Sequence, residues 1–139
     1  MSAPAVFQHP IRVYWEDTDA GGIVFYANYL KFFERARTEW LRGLIDLGQE
    51  RMKQELGAMF VVSETSVRYL SPARLDDYLQ VSVEVRESGR ASMTLFQQAW
   101  HGETLLAEGT IRIGCVAPAN LKPVRIPASI LEALSNKSP

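Results

Sequence analysis

The run Trp15-Glu16-Asp17-Thr18-Asp19-Ala20-Gly21-Gly22-Ile23-Val24-Phe25-Tyr26 sets two carboxylates one residue apart, follows them with a Gly-Gly pair, and leads into the longest helical pattern in the chain. The glycines permit dihedrals and close approaches that other residues resist. A helix starting just beyond them points its unpaired N–H groups, and the positive end of its dipole, back at the acidic loop. A carboxylate facing amide donors across such a gap is suited to attacking a polarised carbonyl or directing water at it. The same composition also fits an ordinary Asp/Gly turn feeding a helix cap. On spacing alone, Asp17 and Asp19 point the same way in an extended loop and compete for one role.

Outward from this loop, Tyr29, Phe33, Ala36, Trp40 and Leu44 recur at three- and four-residue steps, flanked by Phe32, Leu41 and Ile45. Lys31, Glu34, Arg35, Thr38, Glu39 and Arg42 fill the other side, which predicts an amphipathic helix with one wide apolar face. Asn28 is its candidate N-cap. Gly43 and Gly48 suggest a loose end, and residues 45–56 hold a candidate second helix stopped by Gly57. Upstream, Ile11, Val13 and Trp15 alternate with Arg12 and Tyr14, so residues 6–15 read as a strand.

Downstream the period changes. Residues 59–70 are rich in Val, Thr, Phe and Tyr and stop at Ser71-Pro72. In residues 78–87, Leu79, Val81, Val83 and Val85 alternate with Gln80, Ser82, Glu84 and Arg86. Ser88-Gly89 and His101-Gly102 read as turns into strands at 91–100 and 104–116. Pro118, Pro123 and Pro127 punctuate the exit, and residues 130–134 form a last helical turn or two. No repeat, low-complexity tract or linker interrupts the pattern. The expected architecture is one α+β domain over 1–139: a strand, a long helix, then a meander of four strands. The helix lies across a curved antiparallel sheet that covers its apolar face. The outer sheet edges invite a second copy.

Composition narrows the function classes. The chain has 139 residues, 47% apolar and 22% charged, enough for a sizeable core and ordinary for a globular protein. A formal net charge of -1 argues against a nucleic-acid-binding or membrane-surface role. The first seven residues lack the basic and apolar regions of a signal peptide, and no apolar run approaches membrane-spanning length, so a cytoplasmic address is expected. The single Cys115 excludes an intramolecular disulfide and reads as a buried structural thiol.

Residues 13–29, with Phe33-Glu34-Arg35-Ala36-Arg37-Thr38-Glu39 and Ser71-Pro72-Ala73-Arg74-Leu75-Asp76-Asp77, resemble the YbgC-type acyl-CoA thioesterases. These belong to the 4-hydroxybenzoyl-CoA thioesterase branch of the hotdog fold. The likeness spans nearly the whole chain. It implies a hydrolase acting on thioesters of coenzyme A, an interaction with acyl carrier protein as in some members, no metal, and coenzyme A only as part of the substrate. It implies homodimers or homotetramers with sites at protomer interfaces, and a cytoplasmic enzyme associated with the Tol-Pal envelope system. Asp19 matches the catalytic carboxylate, nucleophile or general base, and the backbone N–H near Tyr26 matches the oxyanion donor. Many YbgC-type members carry His where this chain has Tyr26, which leaves the backbone donor intact but removes the imidazole. Arg90 stands where the hydroxybenzoyl-type enzymes place a basic cluster for coenzyme A.

The resemblance favours Asp19 over Asp17, which is left to bond loop amides. Glu34 and Glu39 sit among charged neighbours and read as a solvated face. Arg86, Arg68 and Arg74 are secondary candidates for the coenzyme A phosphates. Ser63 and Thr65 either contact the acyl group or satisfy backbone, with the second favoured. Asp17-x-Asp19-x-Gly21 lacks the remaining ligands of a calcium loop. His9, His101 and Cys115 have no zinc-like spacing. No G-x-S-x-G or phosphate-binding loop is present. Two other classes stay open: a hotdog hydratase or dehydratase, and a non-catalytic acyl-CoA or carrier-protein binding module.

Overall fold

In the computed structural model, which describes residues 6–137, five strands and three helices follow in the order β1 (Phe7–Arg12), α1 (Asn28–Ile45), α2 (Gln49–Leu56), β2 (Met59–Tyr69), β3 (Tyr78–Ser88), β4 (Ser92–His101), β5 (Thr104–Val116) and α3 (Ala128–Lys137). The first five residues, on which most of the signal-peptide reading rests, lie outside the described region.

The strands make one antiparallel sheet in the order β1-β3-β4-β5-β2. Helix α1 packs on β1, β3 and β4, and α3 closes against α1. This is the α+β arrangement of one long helix on an antiparallel sheet that the hotdog resemblance implies. The helix buries Tyr29, Phe32, Phe33, Ala36, Trp40 and Leu41, the face its spacing predicts. Phe32 and Phe33 are wholly enclosed, each worth roughly 2–3 kcal/mol of burial. On the sheet, Leu79, Val81 and Val83 of β3, Met93, Leu95 and Ala99 of β4, and Ile111, Ile113 and Cys115 of β5 meet that face.

Three local expectations are corrected. The first strand ends at Arg12, and Trp15–Asp17 form a single 3-10 turn, because the Asp17 carboxylate reaches back to the Tyr14 N–H at 2.8 Å. Trp15 therefore leaves the inward face and is 80% exposed. Gly43 lies inside α1, which stops sharply at Asp46 in the left-handed region, φ 51°. The four later strands are not one meander: β3, β4 and β5 are, but β2 pairs with β5 at the far edge while β3 pairs with β1. Residues 70–77 carry the chain across the end of the sheet between those positions. Leu70 and Ser71 N–H groups both bond the Leu106 carbonyl there. The second helix, Gly57 in the left-handed region at its end, and the turn at Gly102 (φ 59°) stand where the sequence puts them. The C-terminal helix is longer than residues 130–134.

Gly109 on β5 marks the closest approach of strand, edge and helix. A Cβ there would lie 3.0 Å from the Ser66 carbonyl oxygen and 3.3 Å from the Phe33 ring. Gly109→Ala is expected to lower stability in urea unfolding by about 1–3 kcal/mol; an unchanged midpoint would mean the sheet yields there. Burial pushes the Cys115 thiol up, and its sulfur sits 3.8 Å from the Arg125 carbonyl. Because the thiolate is the reactive form, Cys115 should react with an aromatic disulfide reagent at pH 8 only after denaturant is added.

Candidate active site

The acidic loop is a small hairpin pinned at both ends. Thr18 bridges Val24, and the Asp19 N–H bonds the Ile23 carbonyl at 2.9 Å. Between them Gly22 (φ 81°) returns its N–H to the Asp19 carbonyl at 3.0 Å, a turn that favours glycine. The Gly21 N–H holds Asp19 Oδ1 at 2.8 Å, and a Cβ on Gly21 would stand 3.2 Å from that oxygen. One carboxylate oxygen is thus oriented by the loop, on a side chain that is exposed at the surface.

The two aspartates separate cleanly. Asp17 is buried, its Oδ2 accepts the Tyr14 N–H, and its carbonyl accepts the Phe25 N–H at 3.0 Å and Asn28 Nδ2 at 2.9 Å. It holds the loop against the start of α1. Asn28 is accordingly not the helix cap. The cap position is Ala27, which has no side chain to serve the first turn. Tight bonds at Asn28 N–H to Phe25 and Leu30 N–H to Ala27 close that turn, while the N–H groups of Tyr26 and Ala27 meet no acceptor among the described residues. Two backbone donors and the positive end of an 18-residue helix therefore stand beside the Asp19 loop.

The loop also rests on the segment that crosses the sheet end. Val24 N–H bonds the Ala73 carbonyl at 2.9 Å, Ile23 bridges Arg74, and the Ala73 N–H donates to the Tyr29 hydroxyl at 3.2 Å. A cleft of about 240 Å³ opens here, lined by Ile23, Val24, Tyr26, Tyr29, Tyr69, Leu70, Ser71 and Pro72. The Tyr69 ring meets those of Tyr26 and Tyr29 edge-on, at 5.9 and 5.7 Å between centroids. Burial pushes the phenols of Tyr29 and Tyr69 up, so both stay neutral at physiological pH. The cleft lining is apolar and aromatic and includes no charged side chain.

Tyr69 and the 70–73 wall are the parts that sequence reasoning missed. No local pattern shows that the end of β2 lies against the start of α1; only the crossing reveals it. Of the basic candidates, Arg74 is placed beside the loop by its bridge to Ile23, whereas Arg90 sits in the β3–β4 turn at the opposite end of the sheet. The length of β3 puts about 30 Å between those ends. Arg68 pairs with Glu108 at 3.4 Å, and Arg86 pairs with Glu84 and covers the Phe96 ring. Glu34 accepts from Thr38, and Glu39 pairs with Arg42, on the solvated side of α1 as expected. Ser63 donates to the Arg112 carbonyl at the bulge in β2, the backbone role favoured for it, and Thr65 is exposed. The His101 ring faces Asp77 at 3.6 Å, and His9 lies in β1 opposite Val81. Among the described residues no three His, Cys, Asp or Glu side chains gather as metal ligands, and no helix is long and apolar enough to cross a membrane.

A model of the thioesterase-like superfamily matches residues 13–134. The acyl-CoA thioesterase YbgC of Haemophilus influenzae is 42% identical over 127 residues, covering 91% of this chain and 93% of that protein. The acyl-CoA thioester hydrolase YbgC of Escherichia coli matches to the same extent. Among solved structures, a probable thioesterase from Bartonella henselae superimposes with a TM-score of 0.84 at 30% identity, covering 88% of this chain and all of that one. A Staphylococcus aureus protein solved in complex with CoA shares the fold, with a TM-score of 0.88 at 17% identity over 99% of this chain and 86% of that one. The chain belongs to the thioesterase-like superfamily, among its YbgC-type acyl-CoA thioesterases.

Proposed function

We propose that this protein hydrolyses acyl-CoA thioesters, with Asp19 as nucleophile or general base and the N–H groups of Tyr26 and Ala27 as the donors that hold the thioester oxygen. The observation that carries the reading is the pairing of an exposed, loop-oriented carboxylate with unsatisfied amides at the start of α1. As general base, Asp19 takes a proton from water as the hydroxyl adds to the carbonyl carbon; the tetrahedral intermediate then expels the thiolate. As nucleophile, it displaces the CoA thiolate to form an acyl–aspartyl anhydride, which water cleaves to the free acid and the regenerated Asp19 carboxyl group. In both routes negative charge grows on the carbonyl oxygen, where one preorganised donor contributes about 3–4 kcal/mol of barrier lowering. The tyrosine-lined cleft takes the acyl group, and Tyr26 contributes its backbone rather than its hydroxyl.

The site extends to a second copy in this reading. β2 is an edge strand with Val61 and Val62 exposed, the kind of edge that pairs with another chain. Antiparallel pairing of β2 with its counterpart inverts the second sheet, so the partner's Arg90 turn arrives at the Asp19 end. That gives Arg90 a place on the coenzyme A phosphates that it lacks within one protomer, with Arg74 as the basic group supplied from the same chain. An interaction with acyl carrier protein, and a cytoplasmic site of action, belong to the same reading.

Asp19→Asn should reduce thiol release from acyl-CoA by at least about 100-fold while leaving the unfolding midpoint unchanged; near-normal turnover would remove Asp19 from the mechanism. Asp17→Ala should do the reverse in kind, costing about 1–3 kcal/mol of stability by orphaning the Tyr14 N–H. The product assay also separates the rival classes. A dehydratase gives an enoyl thioester without free thiol, and a binding module gives neither product.

A further inference from the structure

We infer that the buried Gln97 and the half-buried Arg37 form a positioning pair that fixes the axial position of α1 on the sheet, and through it the placement of the Tyr26 and Ala27 N–H groups. Gln97 occupies an inward position of β4, between Leu95 and Ala99, where the alternation calls for an apolar side chain; it is fully buried. Its amide reaches three places at once. Nε2 donates to the Phe33 carbonyl of α1 at 3.0 Å and to the Ser82 carbonyl of β3 at 3.2 Å, while Oε1 accepts from the Arg37 guanidinium at 3.0 Å.

The chemistry permits only one orientation of this amide. Turned over, its NH2 group would face the guanidinium and its oxygen would face two carbonyl oxygens. Arg37 therefore sets the direction of the amide, and the amide then grips the helix backbone itself. The Phe33 carbonyl lies mid-helix, where the regular ladder already supplies it with the N–H four residues on. A second donor from the sheet adds a bond that depends on where the helix sits along its axis. Sliding α1 by one residue, about 1.5 Å, breaks the grip. Apolar contacts between Phe32, Phe33 and the sheet are non-directional and tolerate such a slide better.

From Phe33 to Tyr26 is about 10 Å, most of it along α1, whose start is tied to the preceding residues by the Asn28–Phe25 and Leu30–Ala27 bonds. A shift at Phe33 is thus carried to the donors beside Asp19, where misplacement by about 1 Å costs roughly 100-fold in rate. This pair acts on the reaction through α1 and touches no substrate, and the inference rests on the oxyanion role proposed above for the helix start.

The test is steady-state kinetics of thiol release together with backbone amide NMR shifts at Tyr26 and Ala27, in Gln97→Met, Gln97→Glu and the pair Arg37→Met and Arg37→Lys. Gln97→Met should lower kcat at least about tenfold with KM changed less than about twofold, and should displace both amide signals. Gln97→Glu should be equally impaired despite its stronger ion pair with Arg37, because its second oxygen then faces two carbonyls. Arg37→Lys should recover activity lost in Arg37→Met. Unmoved amide signals with wild-type kcat, in variants that merely melt earlier, would overturn the inference. Near-wild-type behaviour of Gln97→Glu would overturn it as well. If Gln97→Met fails to fold, the two Arg37 variants decide by the same readouts. If wild-type protein releases no thiol, the hydrolase reading fails, and the amide signals still decide whether the pair positions the helix.

Discussion

The hydrogen bond from the Val24 N–H to the Ala73 carbonyl joins two crossings of the chain, in company with the bonds that Val13 exchanges with Asp76 and Asp77. One crossing leads from β1 into α1 through the acidic loop. The other carries the chain over the sheet end from β2, at one edge, to β3, near the other. With the Ile23–Arg74 bridge and the Tyr29 hydroxyl beneath Ala73, this contact sets the loop, the helix start and the end of β2 around one cleft.

Around that joint, charge is distributed by burial. Asp17 goes inside and spends its carboxylate on a backbone N–H; Asp19, two residues later, stays outside with one oxygen held and the other unengaged. The walls between helix and strand are tyrosines, and burial pushes the phenols of Tyr29 and Tyr69 further above the ordinary range. In the function proposed here, the acyl group meets this apolar surface and its carbonyl meets amide dipoles and one carboxylate. In the proposed reaction the thioester carbonyl is electrophilic and its thiolate leaves readily, so a carboxylate and amide donors are the groups that hydrolysis asks for.

The local periodicities were legible because each depends on near neighbours. The three- and four-residue spacing of Tyr29, Phe33, Ala36 and Trp40 gave α1 its buried face, and the alternation through Leu79, Val81 and Val83 gave β3 its inward side. What escaped depends on topology or on one side chain overriding a pattern. Trp15 continues the alternation of β1, yet the Asp17 carboxylate ends the strand before it. Ser71-Pro72 looks like a turn into an adjacent strand, whereas it begins a crossing to the far side of the sheet. Arg90 follows a plausible turn, and only the strand order shows that this turn lies at the wrong end to serve Asp19 of its own chain. Gln97 escaped as well, because its partners at Phe33, Arg37 and Ser82 come from segments far away in the sequence.

The most direct test of the account is the position of a carbonyl oxygen in the site. A crystal structure of the protein with a ketone analogue of an acyl-CoA, in which a methylene replaces the thioester sulfur, would show it. The account predicts the ketone oxygen about 2.7–3.1 Å from the Tyr26 or Ala27 N–H, with the carbonyl carbon facing the Asp19 carboxylate and the acyl chain against Tyr69. An analogue bound with its carbonyl turned away from the start of α1, or lying beyond reach of Asp19, would contradict it.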